Sequence, residues 1–260
     1  MSVPTPATPL TPREWSVVVG AHGAFGTAIV RRLVARGLRV LAVARSSAAL
    51  ESLSAAHGDA VVPCVADVSA DSATDALRSA LGGTVRMIVH GPGVPVAGGV
   101  TDVTTEAILA AVNIKVNGLL RVVRAADPFL APGSRIVAIG GHYGFEPTAY
   151  AATPGVANAA LANLVRQLSW AYGPRGITTH LLAPGPADTE RLHRIAERRA
   201  ASEGITEEQF FADMNRDSAL GRLTTPEQVA WATAMLLAPE ADALAGSSIM
   251  LDSGRRRGLP

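Results

Sequence analysis

Short aliphatic runs recur along the chain: SVVVG, RVLAVA, VVPCVAD, RMIVHG, SRIVAIGG, ITTHLLAP and SSIMLD. Each is rich in Val, Ile or Leu and bounded by Gly, Pro, Asp or Ser, the pattern of a strand buried on both faces. Between them lie Ala- and Leu-rich stretches of helical period, for instance from Thr27 to Arg36, Thr105 to Ala126 and Gly155 to Tyr172. Strand and helix alternate without a break in composition. That predicts one α/β domain, a Rossmann-like doubly wound parallel sheet of seven strands flanked by helices. The domain is expected over 14–254, with a flexible, Pro/Thr-rich N-terminal tail over 1–13 and a C-terminal tail over 255–260. Residues 187–217 depart from the alternation. They are rich in Arg and Glu, read as helical, and precede the last helix–strand pair. In this architecture they lie over the carboxyl ends of the strands, and with His193 and Phe210-Phe211 they could form a lid.

Composition changes this picture little. Hydrophobic residues make up 48% of the chain and aromatics 4%, so the core is built from Ala, Val, Leu and Ile. A formal net charge of +1 gives no reason to expect nucleic acid or a membrane surface as a partner. No apolar run is long enough to span a bilayer, and the first residues lack the pattern of a signal peptide, so the expected setting is the cytoplasm. A single cysteine, Cys64, in an apolar run reads as a small buried hydrophobe and excludes an internal disulfide. No His/Cys/Asp/Glu spacing resembles a metal site.

The segment VVVGAHGAFGTAIVRRLVARG reads as strand, Gly-rich turn and helix. Gly20 permits the tight turn, Gly23 and Ala24 keep the loop thin, and Gly26 lets the helix pack close to the strand. His22 and Phe25 lie in the same turn. The helix N-terminus then offers free N–H groups to a pyrophosphate. After the next strand come Arg45-Ser46-Ser47, where a binder of NAD usually carries an acid for the ribose 2′-hydroxyl. A guanidinium beside hydroxyls suits a 2′-phosphate, so NADP(H) is expected as cofactor. Asp67, beside Val68 at the end of VVPCVADV, can accept a hydrogen bond from an adenine amine.

These motifs resemble the short-chain dehydrogenase/reductase (SDR) family over residues 15–254. The turn is similar to that family's TGxxxGxG, with Val19 and Ala24 departing from it. Ala66-Asp67-Val68 resembles its adenine-side motif, and His90-Gly91-Pro92-Gly93 stands where it usually has Asn-Asn-Ala-Gly. Asn113, in AVNIKVNG, matches its active-site asparagine. Pro184-Gly185 followed by Thr189 resembles the PGxxxT that holds the nicotinamide carboxamide. LGRLTTPEQVAWATAMLLAPEADALAGSSIMLDSG is close to its C-terminal helix and strand.

The resemblance also implies a catalytic Ser, Tyr and Lys, the Tyr giving a proton, the Lys lowering its pKa and the Ser positioning the substrate oxygen. Taking Tyr150 as that Tyr puts Pro154 at the Lys position. Counting back from GPRGI and forward from SRIVAIGG instead gives Gly141, Pro154 and Asn158 in the three places, and the two anchors agree. Of the active-site residues only Asn113 then survives. General acid catalysis commonly contributes ~10²–10⁴ in rate, so an ordinary ketoreductase is disfavoured. Candidates to stand in are His142 and Tyr143, on the loop after Gly141, and Tyr150, one turn before Pro154. Loop packing is the alternative for each. Thr153 and Asn158 could replace lost hydrogen bonds, Asn158 at the nicotinamide ribose. His90 is open between structural and substrate roles, and His180, within a strand run, reads as a core residue.

Three functions of different class follow. The first is an atypical NADP(H)-dependent reductase of a small organic substrate, either an iminium, which needs no proton, or a conjugated C=C/C=O compound. Pro154-Gly155 resembles divergent SDRs of specialised metabolism that have Pro-Gly where the Tyr stood and handle iminium-type or cyclising substrates. The second is a redox-silent cyclase or isomerase with structural NADP(H). The third is a non-catalytic NADP(H)-binding partner subunit. SDRs associate through two long helices, here those with Asn113 and Asn158, which implies a homodimer, a homotetramer or a hetero-oligomer with another SDR. Asn113 and Thr189 both point at a nicotinamide, which counts against the partner subunit; the reductase ranks first, the cyclase or isomerase second.

Overall fold

The computed structural model describes residues 14–258; the expected N-terminal tail lies outside the described residues. Each aliphatic run supplies a strand: β1 Trp15–Val19, β2 Arg39–Ala44, β3 Val61–Val65, β4 Val85–His90, β5 Leu130–Ile139, β6 Thr178–Pro184 and β7 Ser248–Leu251. They form one parallel sheet in the order β3-β2-β1-β4-β5-β6-β7. The order reverses beside β1, where the chain crosses from β3 to β4. At such a switch a crevice opens outside the carboxyl ends of the strands.

The helices are α1 Ala24–Val34, α2 Ala48–His57, α3 Ala73–Ala80, α4 Thr105–Val112, α5 Gly118–Ala126, α6 Ala152–Tyr172, α7 Glu190–Glu203, α8 Glu207–Arg216 and α9 Pro226–Met235. Successive strand residues face opposite sides, so both faces of the sheet are apolar and both are covered. Val17, Leu41 and Val43 pack in one layer with Leu77 of α3, Val122 of α5 and Leu161 of α6. Val18, Val40 and Met87 pack in the other with Ile29 and Leu33 of α1, Leu50 of α2 and Val229 of α9.

Two helices differ from expectation for reasons that bear on the site. Helix α6 starts at Ala152, ahead of Pro154, rather than at Gly155. N–H groups of a first helical turn have no intrahelical acceptor, so a proline there removes no bond. The helix expected to run unbroken from Thr105 to Ala126 contains a π-helical turn over Asn113–Asn117. A π turn adds a residue to one turn and rotates the side chains that follow it.

Residues 187–217 form α7 and α8, each capped by a threonine, Thr189 and Thr206, and parted by Gly204 in the left-handed region (φ 67°). Residues 255–258, expected to trail as a tail, are fastened to the domain. Arg255 donates to Met214 O and to Asp217, both at 2.8 Å. Arg256 lies 5.4 Å from the Phe145 ring, and Gly258 N donates to Glu146 at 2.9 Å. This segment clamps α8 and the β5–α6 loop to the end of the sheet. Among the described residues no helix is long and apolar enough to cross a membrane.

Candidate active site

The turn after β1 is fitted to its neighbours by missing side chains. Gly20 has φ +77°, and a Cβ on it would stand 3.0 Å from Gly91 O. A Cβ on Gly26 would stand 2.1 Å from Gly20 O, so α1 can follow this turn only with glycine there. Gly91 N donates to Val19 O at 3.1 Å and joins the ends of β1 and β4. Gly23 precedes the first turn of α1 with no side chain capping it, which leaves N–H groups for a pyrophosphate. His22 is exposed, and Phe25 is half-buried against the α1 layer.

The adenosine side is open. Arg45 and Ser46 are exposed just beyond β2. Asp67 Oδ1 accepts from Ser69 N at 2.9 Å and from Ser69 Oγ at 2.7 Å. These bonds, with the nearby charges of Arg45 and Arg121, hold its carboxyl below the usual range, and Oδ2 remains for an adenine amine. Val68 is buried, and its carbonyl accepts from Arg121 at 3.0 Å. Asn113 is turned toward this side. Its Nδ2 donates to Ser69 O at 2.8 Å, and its Oδ1 accepts from Arg121 at 3.0 Å and Asn117 at 3.2 Å. The asparagine expected at the reacting end therefore has its side chain engaged in bracing the segment after β3.

At the reacting end Gly141 and Asn158 meet: a Cβ on Gly141 would stand 2.9 Å from Asn158 Nδ2. Asn158 is buried and its Oδ1 has no partner. Pro154 is buried one turn earlier on α6. The Thr153 hydroxyl is used structurally, donating to Pro95 O at 2.7 Å and accepting from Ala97 N at 3.3 Å. His142 is 6% exposed with both ring nitrogens unpartnered. Burial, then the charge of Arg255, lower its pKa, with opposing pulls from Asp252, Glu146 and Asp217. The Tyr143 and Tyr150 hydroxyls hydrogen-bond to each other, their rings edge to face. Tyr150 is exposed and precedes α6.

Pro184 ends β6, and Gly185 packs so close to Asp252 that a Cβ would stand 2.9 Å from it. Thr189 accepts from Leu192 N at 3.4 Å as the cap of α7. Two residues on, Arg191 donates to Val94 O at 2.9 Å and lays α7 over the loop after β4. His193 pairs with Asp188 at 2.8 Å and stacks on Phe211 at 4.8 Å, inside the α7–α8 unit. His180 is a core residue, with Thr178 and Leu244 O partnering its two ring nitrogens.

His90 closes β4 wholly buried. Its Nε2–H donates to Ile114 O at 3.1 Å, a tautomer fixed by the carbonyl being an acceptor only, and its Nδ1 has no partner. Burial, then the charge of Lys115, lower its pKa to about 3, so it is neutral and braces the π turn against the strand end. Pro92 and Gly91 follow it, half-buried.

Lys115 is the residue that motif reading passed over. The π turn points it inward: it is 4% exposed, and its Nζ donates to Ile139 O at 2.8 Å, two residues before Gly141. Burial, then the charge of Arg191, lower its pKa from 10.5 to about 8. No carboxylate pairs with it among the described residues. The sequence does hold a signal for it. Lys115 is the only lysine among the chain's 23 Lys and Arg residues.

A family model described as Enoyl-(Acyl carrier protein) reductase matches residues 20–256. The chain belongs to the SDR family. A cis-1,2-dihydrobenzene-1,2-diol dehydrogenase of Pseudomonas putida is 31% identical to this SDR, over 93% of this chain and 91% of the relative. A putative ketoacyl reductase of Streptomyces coelicolor is 26% identical over 93% and 96%. Among solved structures, an NADPH-bound short chain oxidoreductase from Pseudomonas aeruginosa PAO1, described as containing an atypical catalytic center, superposes with a TM-score of 0.84 at 25% identity. The match covers 96% of this chain and 99% of that one. This SDR is thus an oxidoreductase by family, and the cradle that Gly20 and Gly26 leave at the switch point fits a nicotinamide dinucleotide.

Proposed function

We propose that this SDR is an atypical NADP(H)-dependent reductase of a small organic substrate with a conjugated C=C/C=O group, working without the family's tyrosine acid. The observation that carries this reading is the contact between Gly141 and Asn158 one turn from Pro154. It supports the alignment that puts these residues in the Ser, Lys and Tyr places. Gly20, Gly23 and Gly26 would hold the pyrophosphate, Arg45 and Ser46 the 2′-phosphate, and Asp67 and Val68 the adenine. Gly91, Pro92, Asn158, Pro184, Gly185 and Thr189 would border the nicotinamide half. Bound NADPH supplies hydride.

Lys115 and Arg191 favour one of the two acceptor chemistries. They put two positive charges at the reacting end, and neither forms an ion pair among the described residues. A cationic iminium would be repelled there, whereas an acceptor whose oxygen gathers negative charge is stabilised. Helix α7, tied by Arg191 to the loop after β4, would serve as the lid over that oxygen. Exposed Leu109 on α4, with Val156 and Trp170 on α6, supports a homodimer or homotetramer through these helices. The setting we propose is the cytoplasm, in specialised metabolism.

Titration with NADPH followed by nicotinamide fluorescence, with NADH as control, tests the cofactor. NADPH binding well ahead of NADH is expected, and binding of neither overturns the reading. Consumption of NADPH in step with product separates the reductase from a cyclase that only needs the cofactor present.

A further inference from the structure

We propose that Lys115 binds the carbonyl oxygen of the substrate and supplies its proton, taking over from the central helix the duty that α6 no longer performs. The inference rests on the reductase reading and goes beyond it in naming the acid. As hydride forms the new C–H bond, one Lys115 N–H bond breaks and an O–H bond forms. The carbonyl carbon is reduced, the nicotinamide is oxidised, and Lys115 is left a neutral amine that regains its proton from solvent.

Four observations converge on this residue. First, an ammonium this deep is costly without compensation, and one backbone carbonyl satisfies only one of its three donors. A methionine of the same reach would fill the space at lower cost, so packing does not explain a lysine here. Second, the acceptor it uses, Ile139 O, sits at the carboxyl end of β5, two residues before Gly141. Third, the side chains of the first two turns of α6 offer no acid: Thr153 is committed to Pro95, Pro154 has no proton to give, and Asn158 is an amide. Fourth, the charge of Arg191 on α7 acts on Lys115, and neither residue forms an ion pair among the described residues. An oxygen acquiring negative charge relieves both.

The charged and titratable groups around Lys115 are few. β4 contributes His90, neutral and bonded to Ile114 O; α7 contributes Arg191; β5 presents the Ile139 carbonyl, and α6 presents Ala157 against the same turn. Lys115 therefore titrates with little interference, and its lowered pKa lets it be charged at neutral pH yet give up a proton readily.

The test exploits the single lysine. Full-length protein grown with ¹³C,¹⁵N-lysine gives one lysine side-chain signal, followed by NMR against pH with NADPH bound, then with benzoate as an oxyanion probe. The expected result is a midpoint near 8 that rises on adding benzoate. Lys115→Met is expected to bind benzoate ~10-fold or more weakly, the loss of one charge-assisted hydrogen bond, with NADPH affinity kept. Lys115→Arg keeps the charge and benzoate binding but holds its proton too tightly to donate it. Its reduction of benzylideneacetone should fall ~100-fold. A lysine signal that titrates near 10.5 and ignores benzoate overturns the proposal, as does equal benzoate affinity in Lys115→Met. Loss of NADPH affinity in that variant also overturns it, by giving Lys115 to the cofactor. Failure of the unaltered protein to bind NADPH strikes the reductase reading instead. The benzoate titration decides the matter even if benzylideneacetone is not turned over.

Discussion

Lys115→Met should make the protein more stable at pH 7 while disabling it. Lys115 is buried, and its ammonium pKa falls from 10.5 to about 8, through burial first and Arg191 second. A drop of that size corresponds to about 3 kcal/mol of cost for keeping the charge inside the fold. The unfolded chain holds this proton more tightly than the folded one. The full cost is therefore borne below pH 8, and stability rises with pH between about 8 and 10.5. Methionine removes the charge and keeps the reach, but leaves Ile139 O without its donor, a loss of about 1 kcal/mol. The net gain at pH 7 is about 2 kcal/mol, or roughly 4–8 °C in Tm for a domain of this size. Urea unfolding of both proteins at pH 7 and at pH 10.5 measures it. The advantage should vanish or reverse at the higher pH, where the neutral amine keeps its bond to Ile139 O. A variant that is less stable at pH 7, with a pH-independent gap, would show that the ammonium is balanced within the fold. The case for a missing ligand would then fail.

Reduction should slow as pH rises through about 8, where Lys115 loses the proton it donates, and Lys115→Arg should erase that limb; stopped-flow oxidation of NADPH across pH reads both. Arg45→Ala should weaken NADPH by ~10–100-fold and leave NADH nearly unchanged, in the same fluorescence titration. Gly26→Ala forces a Cβ to within 2.1 Å of Gly20 O, so about 3 kcal/mol of stability and measurable cofactor binding should be lost, read by denaturation and titration. Gly141→Ser should cost ~1–3 kcal/mol because its Cβ would meet Asn158 Nδ2 at 2.9 Å. Adding Asn158→Ala should recover most of that loss, and a double-mutant cycle measures the coupling.

The sheet was legible because buried parallel strands leave uninterrupted aliphatic runs, and every run read that way is a strand. The cofactor turn was legible because glycine is the one residue that fits where backbones nearly touch, as at Gly20 and Gly26. The start of α6 was not, since Pro154-Gly155 is a breaker in any helix interior and harmless only in a first turn. The π turn was not legible either. One added residue slips the helical phase, but the helices on either side, α4 and α5, are too short to show it, and Lys115 faces inward while Asn113 reaches the segment after β3. Nor did the last residues announce their place. Arg255 and Arg256 look like a solvated basic end, and only the positions of Asp217, Phe145 and Glu146 in space turn them into a clamp.

The solitary lysine has a practical meaning beyond catalysis. Every other basic Lys or Arg residue in the chain is arginine, and among the described residues no side-chain amine lies on the surface. Acylation, glycation and isopeptide formation, which ordinarily write on exposed lysines, have one side-chain target in this protein, and it is buried. An amine-directed label therefore reads one side chain alone: uptake measures how readily solvent reaches the buried Lys115.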